Sequence, residues 1–121
     1  MAIAQQRVQT TQNNLVQVPA GKQYAITNIL VCNTYDPNAA DAGSNSASFD
    51  LHLIPSGEAL SNTVTCVVRE LELPAGETFT FDSERIVLEA GDAVVIIGDP
   101  DLGGGDAGLT NLAATVSYLE V

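Results

Sequence analysis

The chain has 121 residues, 45% of them hydrophobic, which is one domain's worth of material and enough for a core without disulfide or metal staples. Fifteen Asp and Glu stand against Arg7, Lys22, Arg69 and Arg85, a formal net charge of -11 that argues against nucleic acid and anionic membrane surfaces as partners. There is no Trp, and the apolar content is mostly Val, Leu, Ile and Ala, a composition that favours strands packed on strands.

Residues 1–13 read as an N-terminal arm. The opening MAIAQQRVQTTQNN has no apolar core of the kind a signal peptide carries, and no later run approaches bilayer-spanning length, so assembly in a cytoplasm is expected. The stretch Ala4 to Asn13 is rich in Gln and Thr and carries a single charge. It is either a frayed terminus or an extended segment that adds a strand to, or lies across, a neighbouring subunit.

Residues 14–121 read as one β domain. Asn14 to Val18, Gln23 to Asn33, Ala47 to Ile54, Thr63 to Leu73, Glu77 to Phe81, Ile86 to Leu88, Ala93 to Ile97 and Leu112 to Val121 are the predicted strands. In the third of these, Phe49, Leu51 and Leu53 alternate with Asp50, His52 and Ile54; Ala93 to Ile97 is apolar on both faces and so is expected at a sheet centre. Three similar phrases punctuate the strands: Val18-Pro19-Ala20-Gly21-Lys22, Leu73-Pro74-Ala75-Gly76-Glu77 and Leu88-Glu89-Ala90-Gly91-Asp92. Each has the chemistry of a three-residue hairpin loop closed by a left-handed Gly. About eight short strands at this spacing predict an all-β, single-domain antiparallel β-sandwich or jelly roll. Ser56 to Asn62 is long enough for one helical turn at most. The loops 36–46 and 99–108 exceed hairpin length, so each is mobile or has a partner.

Little in the chain resembles catalytic chemistry, and no cofactor motif is present. His52 lies in an alternating strand opposite Phe49, Leu51 and Leu53, where it reads as an outward or half-exposed residue with no second His to share a metal. Gly103-Gly104-Gly105 lacks the Lys-Ser/Thr of a phosphate loop, and its neighbouring aspartates repel phosphate. Cys32 and Cys66 fit neither a zinc nor a CxxC spacing and read as small strand hydrophobes; a bridge between them requires neighbouring strands and an oxidising compartment.

The phrases Gln17-Val18-Pro19-Ala20-Gly21-Lys22 and Tyr24 to Asn33, with Ile86 to Asp92 and the ending Thr115 to Val121, resemble small β-sandwich virion proteins of tailed phages over nearly the full length. The resemblance implies a non-enzymatic structural part of a virion, assembled in a host cytoplasm. It implies as partners the major capsid protein or other virion proteins, and a homotrimeric state, but it carries over no functional residue. Two positions follow from it: a decoration or cement protein that stabilises the head, favoured by the compact domain, or a tail, neck or baseplate component. A glycan-binding module is less favoured, because Tyr24, Tyr35 and Tyr118 are too scattered to form an aromatic platform.

One ligand has a chemical case. Asp99, Asp101 and Asp106 offer hard carboxylates on one loop, which suits calcium, although Thr110 stands where an EF-hand places its bidentate Glu. A calcium site there predicts that added calcium raises the melting temperature and EDTA lowers it. A melting temperature indifferent to both removes the site.

Overall fold

The alternation of apolar and polar residues splits the strands into inward and outward rows, and two antiparallel sheets close over the inward ones. The computed structural model describes residues 2–81, 86–98 and 109–121. In chain order the strands are β1 (Ala2–Gln9), β2 (Asn13–Gln17), β3 (Tyr24–Asn33), β4 (Ala47–Ile54), β5 (Cys66–Leu73), β6 (Thr78–Phe81), β7 (Ile86–Leu88), β8 (Ala93–Gly98) and β9 (Leu109–Glu120). One 3-10 turn, Ala42–Ser44, lies in the β3–β4 loop.

The first sheet runs β1-β9-β3-β6, with β7 also on β3; the second runs β2-β8-β4-β5. β6 pairs Ile29 to Cys32, and β7 pairs Tyr24 to Ile26 on the same edge of β3. Taken as one interrupted strand, they bring the total to eight, and the two orders are those of a jelly roll. Every connection crosses between the sheets except β4–β5 and the break between β6 and β7.

The core is the space between the inward rows, filled by Val8, Val18, Ile29, Val31, Phe49, Leu51, Ile96, Leu112 and Val116 with their neighbours. Phe49 meets Phe79 of the opposite sheet edge-on, their ring centroids 5.6 Å apart. Burying a side chain of that size contributes about 2–3 kcal/mol. β8 is buried along nearly its whole length between β2 and β4, as its two apolar faces require.

Four expectations need correction. First, the N-terminal segment is not frayed. Residues 2–9 form β1, paired with β9 from Ala2↔Tyr118 to Gln9↔Leu109, because Val8 supplies an inward anchor that is fully buried. Second, His52 is not outward: it is 0% exposed, since the chain after β4 folds back across that face. Third, Ser61 to Thr65 is a turn rather than the start of β5, tied by Thr65 N to Ser61 O at 3.0 Å.

The fourth concerns the three glycine phrases. None makes a hairpin. They link β2 to β3, β5 to β6 and β7 to β8, and each link passes from one sheet to the other. Hydrogen bonds from Lys22 N to Pro19 O, Glu77 N to Pro74 O and Asp92 N to Glu89 O close the turns, with Gly21, Gly76 and Gly91 at φ 76, 80 and 88°. Glycine in the third position at positive φ is the mark of a type II turn. Local chemistry specifies the turn, but which strands become neighbours is decided by what each face buries. The first and third corners also join, through Val18 N to Asp92 O and Gly91 N to Val18 O.

The cysteines lie in different sheets, Cys32 on β3 and Cys66 on β5, and both are free. The loop after β3 is held from within. Buried Asn33 donates to Asn45 O and Leu73 O and accepts from Tyr35 N, and Tyr35 Oη donates to Asp41 at 2.6 Å.

Gly21 and Gly91 share a left-handed backbone, but a Cβ on Gly21 meets open space whereas one on Gly91 collides with the Ser56 side chain. Gly21→Ala is therefore expected to cost about 1–2 kcal/mol from backbone strain alone. Gly91→Ala adds an overpacking cost of about 1–3 kcal/mol. Urea denaturation of the two variants checks the difference; equal losses refute it.

Candidate functional site

Two surfaces have the most developed local chemistry, and they lie on opposite sides of the sandwich. The first is the outward row of β4, Asp50, His52 and Ile54, and what covers it. The register sets His52 beside Val95 of β8 and Cys66 of β5, and Ile54 beside Ala93. After Ile54 the segment 55–65 returns over this face, and Leu60 and Ile97 pack against Ile54, Ala93 and Val95, a small second core.

The segment is pinned at both ends. Asp92 accepts from Ser56 N at 2.8 Å and from Glu89 N at 2.9 Å, tying the start of the segment to a corner. At the far end Thr65 Oγ1 accepts from Ser61 N at 3.0 Å and donates to Ser61 O at 2.9 Å. Leu53 N donates to Thr65 O. Beside this segment lies an open, mostly apolar groove of about 520 Å³, lined among others by Leu53, Leu60, Val64 and Thr65.

His52 Nδ1 is 2.9 Å from Thr65 Oγ1. The one hydroxyl proton of Thr65 goes to Ser61 O, so Oγ1 accepts from Nδ1–H, and the neutral ring carries its lone pair on Nε2. Nε2 is buried without a partner. Burial pushes the imidazole below its ordinary pKa, opposed by the nearby Asp50 carboxylate and reinforced by Arg69. The ring is fully buried, with Nδ1 clamped by Thr65, and has no solvent-exposed edge to offer a substrate. It locks the segment 55–65 onto the sheet.

Asp50 also organises the β5 bulge. Its carboxylate binds Arg69 Nη1 at 2.8 Å and accepts Glu70 N at 2.7 Å, where Glu70 sits at φ 47°. Cys66 Sγ lies 3.1 Å from Val68 O, and burial raises its thiol pKa, which makes it a poor nucleophile. Among the described residues no group of three His, Cys, Asp or Glu could hold a metal. The calcium candidates Asp99, Asp101 and Asp106, with the glycines 103–105, lie outside the described residues.

The second surface is the outward face of the first sheet. Register and alternation place on it Ile3, Gln5 and Arg7 of β1, Ala113, Thr115, Ser117 and Leu119 of β9, Leu30 and Cys32 of β3, Thr78 and Thr80 of β6, and Val87 of β7. Gln5 reaches Thr115 Oγ1, Thr27 bonds Ser117, and Arg7 Nε donates to Thr110 O at 2.7 Å. None of these outward positions holds a carboxylate. Of the described carboxylates, Asp50, Glu58, Glu70 and Glu72 lie on the other sheet's side, Asp36, Asp41, Glu77, Glu89 and Asp92 lie in the loops and corners between strands, and Glu120 ends β9, paired with Lys22.

This segregation escaped the sequence reading, which treated the charge as one number. Its signal was available in the alternate positions of β9, Ala113 to Leu119, and of β1, Ile3 to Arg7.

The state of His52 has a pH signature. Above the unfolded value of about 6.5 the ring is neutral in both states and adds no pH dependence. Below it the unfolded chain takes up a proton that the folded chain refuses, so stability falls until the lowered folded value is reached. Urea unfolding between pH 7.5 and 5 (about the range in which an ordinary His titrates) is expected to show this slope, and His52→Gln to flatten it. An unchanged slope in the variant refutes the assignment.

No protein-family model matches the chain, and neither a curated protein nor a solved structure does, so the two surfaces are interpreted from their own geometry.

Proposed function

We propose that the chain is a non-enzymatic structural subunit of a tailed-phage virion, a decoration or cement protein that binds the major capsid protein lattice and stabilises the head. The phage assignment rests on the resemblance of its turns and strands. The observation that carries the docking role is the segregation of charge on a jelly roll: among the described residues the carboxylates lie on one side, in the loops and at the end of β9, and the outward row of the first sheet holds none. Jelly rolls serve capsid and lectin domains, and architecture alone does not choose between them. An acidic side favours a basic surface of shell subunits, where complementary charge speeds encounter and sets register.

The mechanism is mechanical. A rigid sandwich bridging neighbouring shell subunits opposes the outward pressure of packaged DNA, and burial of apolar contact surface supplies most of the binding. Val64, 82% exposed beside the acidic Glu58 segment, is the kind of apolar contact such docking uses.

The test is addition of the purified chain to preformed, expanded capsids, followed by reconstruction of the particle. Occupancy over the head lattice with a copy number in the hundreds, weakened by raised salt, is the expected result. A copy number of about six or twelve, typical of ring symmetry, moves the protein to the tail and ends the decoration reading.

A further inference from the structure

A sheet edge offers unpaired backbone donors and acceptors, and proteins protect such edges with short strands, bulges, charges or proline. Three of the four edges here are protected. β6 and β7 are pieces of four and three residues. β2 has five residues and a register shift between Asn14 and Val16. β5 carries Arg69, Glu70 and Glu72, and its pairing with β4 shifts register twice.

β1 is protected only at its far end, by Arg7 and a register shift between Arg7 and Gln9. From Ala2 to Arg7 its register against β9 is unbroken, its far edge pairs with no strand among the described residues, and it contains no proline, lysine or carboxylate. Ile3 stands 62% exposed on its outward row. Its single charge, Arg7, is engaged with Thr110 O.

We propose that β1 pairs along this open edge with β1 of a second copy, antiparallel about a two-fold axis at Gln5, so that the two first sheets become one continuous sheet. Charge selects the occupant. A partner bearing the same net charge of -11 is repelled wherever carboxylates would meet, and among the described residues the outward row of β1 and of its neighbour β9 holds none. A basic partner, by contrast, gains more on the carboxylate side. The geometry is self-complementary, as an isologous contact requires. With the axis at Gln5, Ile3 faces Arg7 of the copy, and the two Arg7 residues stand about 13 Å apart at the rise of a strand, beyond the screening length in physiological salt. An edge of six residues is a small interface, so the pair is expected to form at roughly micromolar concentration.

The inference does not rest on the virion reading, and the purified chain alone tests it. Sedimentation equilibrium at about 1–500 µM, a range bracketing that affinity, is expected to show a monomer–dimer equilibrium. Gln5→Lys sets two like charges side by side at the axis and should weaken the dimer about tenfold or more. Ile3→Lys, also on the exposed row, should weaken it as well, and Val64→Lys on the far side should leave it unchanged. Hydrogen exchange on the native chain gives a reading free of substitutions: edge amides of β1 become protected as concentration rises. A monomer throughout, a trimer, a dimer indifferent to both β1 variants, or edge amides that exchange at one rate at every concentration overturns the proposal. So does an edge that captures only an extended segment of another protein.

Discussion

Three glycines in the left-handed region decide how this chain becomes two sheets rather than one. Gly21, Gly76 and Gly91 each close a tight turn at which the backbone leaves one sheet for the other. At these crossings a single tight turn carries the chain between the layers that enclose Phe49, Ile29 and Leu112, whereas the β3–β4 crossing takes residues 34–46. Two of the corners reinforce one another through Val18 and Gly91, and Asp92 extends that junction to Ser56 at the start of the covering segment. The corner geometry, the main core and the lid over His52 thus share one set of hydrogen bonds.

The strands were largely legible from the sequence because their apolar residues recur with period two, and the all-β sandwich expected on that basis is what the chain forms. What alternation cannot report is what lies on the far side of a strand. His52 occupies an outward position by period and is nonetheless buried, because residues 55–65, which have no period at all, cover it. β1 was missed for the opposite reason. Its outward row is Ile3, Gln5 and Arg7, its inward row is Ala2, Ala4, Gln6 and Val8, and only Val8 marks it as part of a core. The glycine phrases were legible as turns and not as crossings, since pairing depends on residues distant in sequence. The candidate surfaces were legible only in part: the charge total was plain, but its placement on one side requires the register of five strands.

That placement gives the two sides of the sandwich different interaction chemistry. The outward face of the first sheet is nearly neutral, with hydroxyls and amides satisfied across strands, as in Gln5 to Thr115 and Thr27 to Ser117. The other side is acidic, and its one buried titratable ring is committed to holding the segment 55–65 in place. A protein with one neutral and one charged face can engage two kinds of partner without the contacts competing.

The position of β9 has a consequence for how the chain is made. β9 lies between β1 and β3, so the strand at the middle of the first sheet is the last of the nine to leave the ribosome. Until it arrives, β1 has no partner in its sheet, and Ile29 and Val31 lack the neighbouring strand that carries Ala114 and Val116. The second sheet needs only β2, β4, β5 and β8, and can assemble during synthesis. Completion of the fold therefore waits on a closure that joins residues about as far apart in the chain as any two can be. Such closures carry a large loop entropy and slow the final step. A nascent chain halted before β9 presents a half-sandwich with an uncovered apolar layer, the form most in need of a chaperone.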